Sequence, residues 1–155
     1  MKKSYSLIEI LIGALLIALV ATFGGLYLFG YWRAKTIEGM AKKIVFYLEF
    51  AKTKSIAQEN QSGWGVHFEN PSSGPSFFSL FYNHYSSTTT LEVIYLPSQI
   101  EFSEPSEGNS KEIIFEQLSG KLASTSATSI KIYLKTDPNQ TKTIEVNPFG
   151  RIQSH

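Results

Sequence analysis

The chain begins with a long uncharged run near its N-terminus. No charged residue occurs from Ile10 to Tyr31. At 1.5 Å per helical residue this run would reach about 33 Å, close to the roughly 30 Å hydrocarbon core of a bilayer. The pattern therefore predicts a helix that can span a membrane.

A second pattern follows the uncharged run. Apolar residues recur at alternating spacings of four and three, which is the period of an amphipathic helix, at Ile37, Ala41, Ile44, Leu48 and Ala51. Charged residues fall outside this stripe, and Glu38 and Lys42 are spaced as an i,i+4 pair. We expect an amphipathic helix over residues 33–61 that packs its apolar stripe on the rest of the chain.

The character of the sequence changes at Gly63. Aromatic and β-branched runs then alternate with clusters of Gly, Pro, Ser, Thr and Asn, which predicts strands joined by turns. The predicted strands are 64–69, 77–85, 91–96, 112–116, 130–135 and 142–146, and the predicted turns are 70–74, 86–90 and 137–140. The fold class expected is α+β, with a long N-terminal hydrophobic helix followed by an antiparallel β-sheet or β-sandwich domain over residues 62–155.

The amino-acid composition limits the kinds of chemical site that the chain can form. The 155 residues carry a formal charge of +1 and include no cysteine, and Asp137 is the only aspartate. Disulfides, thiolate sites and aspartate-rich metal sites are therefore excluded. The histidines His67, His84 and His155 have no spacing that suggests a shared metal or a catalytic base. We expect no enzyme activity, no cofactor and no metal.

Glu9 is the one unusual residue of the N-terminal segment. Its carboxylate stands at the start of the apolar run, where a charge is costly unless it meets an opposite charge. An uncleaved signal anchor or a secretory signal peptide leaves this carboxylate unexplained. The sequence therefore predicts a counter-charge for Glu9.

The residues from Lys2 to Ile12, KKSYSLIEILI, resemble the class III prepilin signal of type IV pilins and type II secretion pseudopilins. The resemblance implies a leader of residues 1–4, cleavage by a prepilin peptidase between Ser4 and Tyr5, and N-methylation at Tyr5. It also implies that Glu9, fifth in the mature chain, pairs with the freed α-amine of a neighbouring subunit. The family more often has glycine and phenylalanine where Ser4 and Tyr5 stand.

A looser resemblance covers the C-terminal half. It is similar to the minor pseudopilin H and FimT-like group in five short segments, at 113–115, 119–121, 130–132, 143–146 and 150–152. Gly120 and Gly150 fall where a strand pair must reverse, and glycine permits positive φ there. The middle of the domain carries little of this pattern.

These resemblances imply a structural minor pilin or pseudopilin, active in a type IV pilus or in protein transport by a type II secretion system. Residues 5–32 would form a single-pass anchor in the inner membrane and then the core of an extracytoplasmic filament. Its partners would be other pilin or pseudopilin subunits, the prepilin peptidase, the assembly platform and the membrane.

Two alternatives remain open at this point. One is a single-pass membrane-anchored binding domain whose anchor is not cleaved. The other is a DNA-binding minor pilin that would use a basic patch of Lys131, Lys135, Lys142 and Arg151, although nearby glutamates dilute that patch and nucleic acid is not the partner we expect.

Overall fold

The structure is a computed structural model that describes the backbone of residues 7–155 and the side chains of residues 7–22 and 34–155. The leader 1–4, the cleavage point between Ser4 and Tyr5 and the N-methylation at Tyr5 lie outside the described residues. So do the side chains of residues 23–32, which belong to the predicted membrane anchor. The chain divides into two compact units, the first ending at Lys35 and the second running from Thr36 to His155.

One helix and eight strands make up the described chain. The helix α1 spans Leu7–Ile56, and a short 3-10 turn, Glu59–Gln61, follows it. Four strands form sheet 1 in the order β3-β2-β1-β5, and four form sheet 2 in the order β4-β6-β7-β8. The strands are β1 Trp64–Asn70, β2 Phe77–Tyr82, β3 Thr90–Tyr95, β4 Ile100–Glu104, β5 Asn109–Phe115, β6 Thr128–Leu134, β7 Asp137–Val146 and β8 Ile152–Ser154. Every strand pair is antiparallel, so the α+β fold is as the sequence predicted.

The apolar stripe of α1 belongs to the hydrophobic core. All five residues that the periodicity selected are buried, and Met40 and Tyr47 join them. They share one hydrophobic cluster with side chains from both sheets, among them Trp64, Phe68, Phe102, Ile130 and Ile144. The helix is therefore held by burial of its apolar face, as expected for an amphipathic helix in a protein.

The helix ends five residues before the predicted position 61. Gln58 adopts a left-handed backbone conformation, with φ of 56°, which stops the α-helical hydrogen bonding. Ser55, buried in the last turn, then connects α1 to sheet 1. Its Oγ donates to the Phe115 carbonyl at 3.1 Å and accepts from the Trp64 N–H at 2.7 Å.

The strand predictions were partly wrong. The second predicted strand, 77–85, ends at Tyr82 because Asn83 turns the chain with a φ of 65°. The predicted turn 137–140 lies inside β7, because the chain reverses two residues earlier. Strands β4 and β8 were not predicted, since both are short and hydrogen bonding to β6 and β7 defines them rather than a long apolar alternation.

A buried asparagine ties the two sheets together. The Asn70 amide at the end of β1 donates to the carbonyls of Phe102 and Pro105, at 3.0 and 3.1 Å. Its Oδ1 accepts a hydrogen bond from Ser76 at 2.7 Å. Both donors and the acceptor of this buried side chain are thus satisfied, which is what permits a polar group in that position.

A partly exposed ion pair makes a second connection between the sheets. Lys111 of β5 binds Glu104 of β4 and also donates to the Ser129 carbonyl of β6 at 2.8 Å. The hydrogen bond from Lys111 lowers the pKa of Glu104, and further bonds and charges from Ser129 and Lys131 act in the same direction against the effect of burial. The ionised carboxylate is therefore favoured in the folded state.

We expect Asn70→Ala to lower the free energy of unfolding by about 2 kcal/mol, because it removes three hydrogen bonds and leaves buried carbonyls without donors. Denaturant unfolding followed by tryptophan fluorescence measures this change. Asn109→Ala, which removes an exposed amide bonded to Ser106, is the matched control and should cost less than about 0.5 kcal/mol. Equal effects of the two substitutions would contradict the role assigned to Asn70.

The Glu104 carboxylate makes the stability of the fold sensitive to acid. In the folded state its pKa lies below the ordinary value of 4.5. The ionised carboxylate therefore contributes to the free energy of unfolding above pH 4.5, and this contribution is lost as the pH falls through the lowered pKa. The group is 46% exposed, so we expect no more than about 1 kcal/mol. The free energies of unfolding measured at pH 7 and at pH 3 should differ less in Glu104→Gln than in the unsubstituted chain. The control Glu145→Gln, at an exposed site, should leave that difference unchanged.

Candidate assembly site

The N-terminal part of α1 is apolar on every side. Across residues 7–22 every residue except Gly13 is exposed, and these exposed residues are almost entirely Ile, Leu, Val and Ala. Leu7 and Ile17 are more than two-thirds exposed. The Thr22 hydroxyl donates to the Ala18 carbonyl at 2.8 Å, so the helix itself satisfies the one hydroxyl of this segment. Such an extended apolar surface is typical of a site that interacts with a membrane or with another protein.

Glu9 is the one charged residue in this segment. Its side chain is exposed, and the described residues place no cation beside it. A carboxylate that moves with this surface into an apolar environment needs a cation supplied from elsewhere. The counter-charge for Glu9 therefore stays a prediction.

No helix within the described part of the chain is both long enough and apolar enough to cross a bilayer.

The four residues of the predicted basic patch do not form one surface. Lys131 lies on the outer face of β6, whereas Lys135 lies in the turn after that strand and is paired with Glu101 at 3.1 Å. Lys142 is in register with buried Ile132, so it lies on the opposite face. There it lines a cleft with Glu38 and Lys42 of α1.

Arg151 occupies a separate place, in the turn between β7 and β8. Its side chain is exposed, and its backbone N–H donates to the Asn147 Oδ1 at 2.8 Å. A phosphate backbone is bound by several cations on one face. The structure therefore does not place the four residues on one face, and Lys135 is already paired with a glutamate.

The histidines do not form a reactive group. His67 is buried in sheet 1, with its Nδ1 3.2 Å from Glu112 and its Nε2 3.3 Å from Glu69. The Tyr85 ring stacks on the imidazole at a centroid distance of 3.6 Å. Both ring nitrogens are thus occupied by carboxylates, and the described residues contain no group of three or more ligands that could hold a metal.

Sequence reasoning missed the exposed apolar residues of the β domain. Leu91, Val93 and Tyr95 project from β3, and Phe149 projects from the turn after β7. A signal for the first three was present, because they alternate in LEVIY, but alternation alone does not say which face is buried. The burial of Ile94 assigns the other three to the outer face.

The sequence has no match among protein-family models and none among curated proteins. Solved structures of similar fold include the type IV minor pilin FimU of Pseudomonas aeruginosa in two crystal forms, each 12% identical in sequence to this chain. One has a TM-score of 0.56 and covers 76% of this chain and 91% of its own. The other has a TM-score of 0.58 and covers 77% of this chain and 87% of its own. The fold of this chain, an N-terminal helix followed by antiparallel sheets, is thus the fold of a pilin.

Proposed function

We propose that the chain is a structural subunit of a type IV pilin-like filament, assembled through its N-terminal helix. The observation that carries this proposal is the contrast along α1. From Ile37 onward one apolar stripe of the helix lies in the core, although Phe46, Phe50 and Ile56 outside that stripe are exposed. Over residues 7–22, by contrast, the apolar side chains are exposed on all sides of the helix. The pilin fold of the chain supports the same conclusion.

The exposed apolar residues are a large source of binding energy. Each buried Leu, Ile or Val contributes about 1.5–3 kcal/mol on removal from water. Residues 7–22 contain ten such side chains, all exposed. A bilayer or a bundle of similar helices covers them on every side, which a single sheet face cannot do. The segment therefore acts as an anchor before assembly and as a packing element afterwards.

Glu9 provides specificity for this packing. In an apolar bundle its carboxylate is stabilised most by a cation at one defined position along the bundle axis. The free α-amine that cleavage after Ser4 exposes is such a cation. Methylation at Tyr5 leaves the amine protonated and able to pair. One ion pair per subunit then fixes the axial register between neighbours, a role for which polar groups in helix bundles are well suited.

We place the subunit closest to the minor pseudopilin H and FimT-like group, as a low-abundance or initiating component. Its route runs from the inner membrane, through the prepilin peptidase and the assembly platform, into an extracytoplasmic filament. Both a type IV pilus and a type II secretion pseudopilus use such subunits. Because the predicted basic residues do not lie on one face, they give no support to a role in DNA binding.

We expect Glu9→Gln to reduce incorporation into filaments at least about tenfold, the effect of losing roughly 1.4 kcal/mol of pairing energy. The amount of subunit in sheared, purified filaments measures incorporation. Glu49→Gln on the same helix is the matched control. It removes the same charge at a partly exposed site whose nearest cation, Lys52 at 3.8 Å, belongs to the same chain. Normal incorporation of Glu9→Gln, with its β domain still folded, would disprove the pairing mechanism.

Processing provides an independent test. N-terminal sequencing and intact mass of the chain from its native membrane should show a mature protein that begins at methylated Tyr5. Ser4→Gly should be cleaved at least as completely, and a bulky Ser4→Leu should block cleavage. An unsubstituted chain that keeps Met1 would instead favour the membrane-anchored binding domain.

A further inference from the structure

A cleft of about 400 Å³ lies on the outer face of sheet 2, and we call it the outer cleft. Three of its residues are directly in register across three strands: Glu101 of β4, Tyr133 of β6 and Thr141 of β7. Glu107 of the loop after β4 and Pro138 of β7 also line it. Clefts of this size are typical of sites that bind small molecules.

The loop that carries Glu107 is held in place by the buried Asn70. The Asn70 amide donates to the Pro105 carbonyl at 3.1 Å, and the Gly108 N–H donates to the Asn70 backbone carbonyl at 2.7 Å. These two hydrogen bonds fix the loop on both sides of Glu107. A ligand in the outer cleft therefore does not have to order this loop, which lowers the entropic cost of binding.

The Glu101 carboxylate is positioned through one of its two oxygens. The Tyr133 hydroxyl donates to Oε2 at 3.1 Å, and the Lys135 Nζ lies 3.1 Å from the same oxygen. Burial raises the pKa of Tyr133, and the hydrogen bond to Glu101 and the charges of Glu101 and Glu107 add to this rise, so the phenol stays neutral and keeps donating. Among the described residues Oε1 has no hydrogen-bond donor, so it is left for a ligand.

Two opposite charges line the outer cleft without pairing. Glu107 and Lys131 both line it, yet within the described part of the chain neither charged group has a hydrogen bond or an ion pair. Lys131 acts on the nearby Glu104 through its charge alone. Hydrogen bonds to charged groups are stronger than those between neutral groups. Both side chains can therefore make strong hydrogen bonds that the chain itself does not use.

The charges around the outer cleft favour a neutral ligand. Glu101 and the neighbouring Glu104 are already paired with lysines of the same domain. Glu107 and Lys131 remain as one anion and one cation. An anionic ligand is repelled by Glu107, and a cationic one is repelled by Lys131. A ligand with several hydroxyl groups avoids both penalties, because a hydroxyl donates to a carboxylate and accepts from an ammonium group.

The outer cleft also contains apolar rings beside these polar groups. Tyr133 and Pro138 line it together with the hydroxyl-bearing side chains of Ser103, Ser106 and Thr141. A pyranose sugar has C–H groups on the faces of its ring and hydroxyl groups around the edge. Its faces therefore suit the apolar rings, and its edge suits the hydroxyls and charged groups. Apolar surface with a few well-placed polar groups is the usual composition of a small-molecule site.

We propose that the outer cleft binds a hexopyranose unit of a carbohydrate. Hydroxyl groups of the sugar donate to Glu101 Oε1 and to the Glu107 carboxylate and accept from Lys131, while one face of the sugar ring contacts Tyr133. The inference goes beyond the proposed filament role and does not rest on it, because every residue of the cleft belongs to the β domain.

The test is a two-dimensional NMR titration of the ¹⁵N-labelled full-length chain in micelles of dodecylphosphocholine, a detergent without a sugar. The probes are methyl α-glucopyranoside, methyl α-galactopyranoside and methyl α-mannopyranoside. We expect at least one of them to shift amide signals within residues 101–107 and 131–141. The dissociation constant should be on the order of 1 mM, as expected for a ligand of this size. Glu107→Ala and Lys131→Met should each raise it about tenfold.

Two matched controls remove charges outside the outer cleft. Glu145→Gln changes an exposed residue of the same sheet, and Lys121→Met changes an exposed lysine, and neither should alter the dissociation constant. Circular dichroism confirms that each variant is folded, which is expected because the Glu107 and Lys131 side chains make no hydrogen bond among the described residues.

Four results would overturn the carbohydrate site. They are the absence of shifts with all three sugars, shifts confined to other residues, unchanged binding in Glu107→Ala or Lys131→Met, and tighter binding of inorganic phosphate or methylammonium at the same signals. The filament role is tested separately, by the incorporation of Glu9→Gln, so either proposal can fail without the other.

Discussion

The burial of one stripe of α1 is the interaction on which the β domain depends. Ile44, Leu48 and Ala51 are completely buried, and they share a single core with residues from both sheets. Each sheet has four strands, and the helix supplies apolar surface to the same core as both sheets. Asn70 and the Glu104–Lys111 pair then fix how the two sheets are joined, since hydrophobic burial by itself does not specify one alignment.

The same helix has a different surface before residue 23. There the apolar residues are not confined to a stripe, and no single face can be assigned to a core. A helix that is apolar all round belongs in a bilayer or inside a bundle. One element thus combines two kinds of surface, and the change between them separates what the chain needs in order to fold from what it offers to other molecules.

The sequence predicted the parts of the structure that rest on periodicity. The stripe from Ile37 to Ala51, the α+β fold and the positive φ of Gly120 and Gly150 were all predicted correctly. Short edge strands such as β8 were missed, because partner strands define them and a single sequence does not show partners. Asn70 was missed for the same reason, since its hydrogen bonds reach residues more than thirty positions away. In the candidate site, Glu9 was recognisable because it interrupts an apolar run. The division of the lysines between two faces depended on strand register, which a pattern in one strand does not contain.

The buried hydroxyl of Ser55 has a mechanical consequence. It connects the last turn of α1 to β1 and β5, and β1 is an interior strand of sheet 1. A pulling force applied along the helix would therefore reach an inner strand that is hydrogen-bonded on both sides, rather than an edge strand that could peel away one bond at a time. A domain connected to its helix in this way receives tension at the strand that resists it best.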